Sequence, residues 1–141
     1  MILLDFGACV RISETSLNVY QTLLNAGITL EPERIKWIFL DHNLLPPELN
    51  AAEDAFVDQV LETVTAELAA AADTFSLAQS RVFDLLDLND VKLYAALLPH
   101  ENLPVDLVFT QRKIIGLVLF LRSLGTSLPV MQMLKTYENR G

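Results

Sequence analysis

Residues 104–125 read Pro-Val-Asp-Leu-Val-Phe-Thr-Gln-Arg-Lys-Ile-Ile-Gly-Leu-Val-Leu-Phe-Leu-Arg-Ser-Leu-Gly. Pro104 or Val105 opens a helix that the pattern carries to Leu124, and Gly125 supplies the stop. The second half is apolar almost all round, which predicts a helix buried on most sides. Its longest uncharged apolar run, Ile114 to Leu121, is eight residues between Lys113 and Arg122. About 20 such residues are needed to cross a bilayer, so the stretch reads as a core helix and not a span.

The rest of the chain is also helical in pattern. Ser13 is a natural N-cap, Glu14 falls in the first turn, and Leu17, Tyr20, Leu23 and Leu24 recur at helical spacing before Gly27, the expected stop. A second helix starts near Pro32, places Ile35, Ile38 and Phe39 on one face with Trp37 beside them in the core, and ends at Leu45-Pro46-Pro47. A third covers about Asn50 to Asp73. Its stripe is Phe56, Val57, Val60, Leu61, Val64 and Leu68, with Asp54, Asp58, Glu62 and Thr65 on the surface, and the alanines 69–72 permit close helix packing. Residues 76–86 are compatible with helix. Residues 89–98 fit one better, with Asn89 as cap, Val91, Tyr94, Leu97 and Leu98 on one face, and Pro99 closing it. Pro129 starts a short amphipathic helix through Met133, Leu134 and Tyr137, and the polar tail Glu138–Gly141 is expected to fray. At the other end, Ile2, Leu3 and Leu4 read as a short buried strand running into a turn at Asp5-Phe6-Gly7. The expectation is one mainly α domain over residues 1–141. Its lone strand needs a pairing partner from outside the visible elements.

Composition narrows the function classes. Eighteen Asp and Glu oppose ten Lys and Arg, for a net charge of −8, which argues against nucleic acid because phosphate binding needs clustered cations. An apolar fraction of 52 % excludes intrinsic disorder. The single cysteine, Cys9, excludes a disulfide framework and suits a reducing compartment; its expected role is a small buried apolar residue. The opening MILLDFGACVR carries no early positive charge and is interrupted by Asp5, so it reads neither as a signal peptide nor as an Arg-rich transit peptide.

Standard catalytic motifs are absent. There is no glycine-rich phosphate loop, no Gly-Lys-Ser/Thr and no nucleophile elbow. Cys9, His42 and His100 lack zinc-site spacing, and both histidines read as helix-end or surface residues. The tripeptide Asp5-Phe6-Gly7, directly after an apolar run, is the one chemical signal. In kinases this arrangement aims an Asp carboxylate from the end of a buried strand at the Mg²⁺ that bridges ATP phosphates, with Phe packed below and Gly freeing the backbone. A strand end closed by a turn Asp and a turn Gly has the same pattern.

Two separated segments together resemble the UbiB (AarF-type) family of atypical protein-kinase-like proteins. One is the opening LLDFGACVRIS with the following SETSLNVYQTLLNAG. The other is the Pro-x-x-x-x-Phe-x-x-Arg-Lys-x-x-Gly pattern ending in Leu-Gly, carried here by Pro104, Phe109, Arg112, Lys113, Gly116, Leu124 and Gly125. Gln111 stands where the family commonly has His, and the centre, roughly 45–90, matches only in helical character. The resemblance implies the helical C-lobe portion of a protein-kinase-like fold, with one short N-terminal strand leading into a DFG turn. It implies Asp5 as the metal ligand, with Phe6 and Gly7 completing the motif, and Mg and ATP as cofactors of a complete protein. The chain holds no Lys-x-Gly-Gln motif, nucleotide-binding Lys or catalytic loop, so catalysis by residues 1–141 alone is not expected: positioning of ATP, metal and acceptor needs them all.

The implied role is the C-terminal part of an atypical kinase or ATPase linked to isoprenoid-quinone (ubiquinone) biosynthesis, completed by a missing N-terminal lobe or another chain. Membrane or lipid association and a cytoplasmic or organellar-matrix location follow from the same resemblance. The alternative is a non-catalytic helical interaction module or pseudokinase remnant. Arg112 and Lys113 are either a partner or headgroup contact or a structural or solvated pair flanking the helix, and a large residue at Gly116 is expected to destabilise if that helix packs closely there.

Overall fold

The computed structural model describes residues 11–71, 73–86 and 103–138. Six α-helices and one two-stranded sheet appear among them: α1 (Glu14–Thr29), α2 (Pro32–Asp41), α3 (Ala51–Ala70), β1 (Phe75–Ser76), a 3-10 turn (Leu77–Gln79), α4 (Val82–Leu85), α5 (Val105–Ser123), β2 (Ser127–Leu128) and α6 (Val130–Glu138). The protein is mainly helical, as expected. The strand at residues 1–4, the turn at 5–7 and the helix at 89–98 lie outside the described residues, as do Cys9 and His100.

The helix ends follow local chemistry, not always at the expected residue. Ser13 caps α1, its hydroxyl oxygen accepting from the Ser16 amide. The helix then runs through Gly27 to Thr29 and stops at Leu30, whose φ of 55° is left-handed. Pro32 opens α2. That helix ends at Asp41, before the prolines, because Asn43 turns left-handed at φ 56° and the amides of Leu44 and Leu45 fold back onto the Phe39 carbonyl. Asn50 begins α3 with a capping box: its side chain accepts from the Glu53 amide while Glu53 accepts from the Asn50 amide. Helix α3 stops at Ala70, with Ala69 and Ala70 exposed instead of packed closely. Gly125 ends the α5 turn at φ 64°, as read. Glu138, expected to fray, closes α6.

Helix α1 packs on α2 and α6, α2 on α3, α3 on α4, and α5 on the 3-10 turn. The centre of the core is Val19 of α1, Leu44 of the α2–α3 connection and Leu107 of α5, ringed by Tyr20, Leu23, Phe39 and Leu103. The buried face of α1 is therefore Ser16, Val19 and Ala26, one step round from the leucine face expected, and Leu17 is exposed. Thr65, expected on the surface, is buried; its hydroxyl donates to the Leu61 carbonyl, which removes the penalty of burying it. Trp37, expected in the core, is 62 % exposed.

The segment 76–86 is not one helix. Phe75 and Ser76 pair antiparallel with Leu128 and Ser127, the 3-10 turn follows, and α4 is one turn long. Glu67 holds this corner: its carboxylate accepts from the Ser80 hydroxyl at 2.7 Å and the Arg81 amide at 2.8 Å. Burial raises the Glu67 pKa, but these bonds outweigh it and the carboxyl is held below its ordinary value. Arg122 of α5 stacks on Phe83 of α4, 4.2 Å from the ring centroid.

The largest departure concerns α5. Only its start is buried, at Asp106 and Leu107. Ile114, Ile115, Leu117, Leu119, Phe120 and Leu124 are each between 46 and 59 % exposed, against the burial expected of an apolar second half.

Candidate functional site

Asp5, Phe6 and Gly7 fall outside the described residues, so the site begins where the chain emerges from that motif, at Ser13. The Ser13 amide donates to Asp106 Oδ2 at 2.7 Å, and its hydroxyl donates to the same oxygen at 2.8 Å. Ser13 is the N-cap of α1, and Asp106 lies in the first turn of α5. One carboxylate thus sits at two helix N-termini, where the backbone dipoles favour negative charge. The Ser13 amide, then its hydroxyl, lowers the Asp106 pKa to about 2; burial opposes this, and Ser16 and the Leu107 amide assist. A second tie runs beside it, the Tyr20 hydroxyl donating to the Leu107 carbonyl at 3.3 Å. Burial pushes that phenol up.

The junction brings the two resembling segments together. Ser13 lies within the first, Asp106 near the start of the second, and 93 positions separate them. Asp106 was not a candidate in the sequence: an acid in a first helical turn is ordinary, and nothing local names a partner so distant.

A cleft of about 480 Å³ lies against this junction, lined among others by Thr15, Ser16, His42, Pro46, Pro47 and Leu107. His42 caps the C-terminus of α2, the helix-end position expected of it. Every buried side-chain nitrogen or oxygen among the described residues has a hydrogen-bond partner, so no orphaned group marks a ligand in the cleft. No three His, Cys, Asp or Glu side chains converge among them to hold a metal.

Arg112, Lys113 and Gly116 lie on the exposed middle of α5. The ion pairs of the described residues join Lys36 to Asp54 and Asp58, and Arg81 to Glu67; the structural-pair reading of Arg112 and Lys113 gains nothing from them. Among the described residues, a Cβ built on Gly116 meets no heavy atom within 4 Å, so the condition for a large residue there to destabilise is not met by them. Among the described residues, no helix is long and apolar enough to cross a membrane.

Comparison with family models, curated proteins and solved structures finds no match to this chain.

Proposed function

We propose that the chain is the helical C-terminal portion of a UbiB-type kinase-like protein, linked to isoprenoid-quinone biosynthesis and non-catalytic by itself. The observation that supports this reading is the Ser13–Asp106 junction, which ties the segment following Asp5-Phe6-Gly7 to the helix carrying Arg112, Lys113 and Gly116. In such a protein the carboxylate of Asp5 would hold Mg²⁺, and the junction would anchor the chain leaving the metal-binding turn to the helical lobe. The other lobe, or another chain carrying it, would supply the nucleotide Lys and the catalytic loop. Membrane or lipid association belongs to the same reading, through Arg112 and Lys113.

Deleting the coding region from the source organism and measuring quinones by mass spectrometry tests the biological half. A fall in isoprenoid quinone is expected, and an unchanged level overturns the link. Calorimetry of the chain with Mg-ATP tests the chemical half. No binding is expected, and micromolar affinity would contradict non-catalytic status. A second reading, a helical interaction module, draws on a different observation, the exposed apolar flank of α5.

A further inference from the structure

We draw no further inference here: the strongest candidate, the exposed apolar flank of α5 around Leu117, Phe120 and Leu124, is uncovered only among the described residues, and nothing in the structure shows what covers it.

Discussion

Asp106 does through one oxygen what usually takes several residues: it receives the Ser13 amide and hydroxyl while lying in the first turn of its own helix. Its effect on stability has a definite sign. The folded-state pKa is depressed from 3.8 to about 2, so the contribution is complete above about pH 4 and is lost as the pH falls through that window. The gap in thermal midpoint between the wild type and Asp106→Asn should therefore close between pH 5 and 2; a gap that stays constant would refute the assignment. Ser13→Ala removes the α1 cap as well as the hydroxyl bond, and should cost at least about 1 kcal/mol by denaturant titration. At Gly116 the open space predicts the opposite sign. Gly116→Ala should gain about 0.5–1 kcal/mol in dilute solution, and a loss would restore the close packing that the structure does not display.

Among elements, α3 is the most self-sufficient, with its reciprocal Asn50–Glu53 cap and its Asp54 and Asp58 both reaching Lys36 of α2. The hydrogen bonds that Lys36 donates, to Asp54 first and then to Asp58, push its pKa up. Both carboxylates are about half exposed, so water screens the pairs and Lys36→Met should cost less than about 1 kcal/mol. Asn50→Ala should cost about 1 kcal/mol, measured by denaturant titration, because two backbone donors lose their partners.

Legibility in the sequence divides along the same line. Starts of helices at Ser13, Pro32 and Asn50 were readable because their signals are local. The ends of α1 and α2 were not, because Leu30 and Asn43 adopt left-handed geometry that the apparent stops at Gly27 and Pro46 conceal. The two-residue ladder between Phe75 and Leu128 was invisible for a different reason: it joins positions far apart and leaves no periodicity. Of the candidate site, the residues of α5 were named as positions only, and their environment was inferred from apolarity. Apolarity alone does not say whether a face is covered by the same chain.

At the scale of the whole molecule, the buried apolar set is small for so apolar a chain. Val19, Ala26, Ile38, Leu44, Val57 and Leu107 are the buried hydrophobics among the described residues. The exposed large ones include Trp37, Phe120, Met133 and Tyr137, on three different helices. Core truncation should consequently be severe where it touches the small centre: Leu107→Ala, at a side chain 2 % exposed, should cost about 2–5 kcal/mol. Loss of under 1 kcal/mol would show that α5 is not anchored there.

The bond between Ser13 and Asp106 also carries a kinetic consequence. Its amide proton is held by a partner 93 positions away, so releasing it to solvent requires two distant stretches of chain to part. Deuterium uptake at that single amide should therefore follow cooperative opening of the domain and not fraying of α1. The same separation makes this contact expensive in loop entropy, since the ends must meet before the bond rewards them. Protection at Ser13 should appear after that of the amides inside α3, which makes one serine a clock for the closing of the fold.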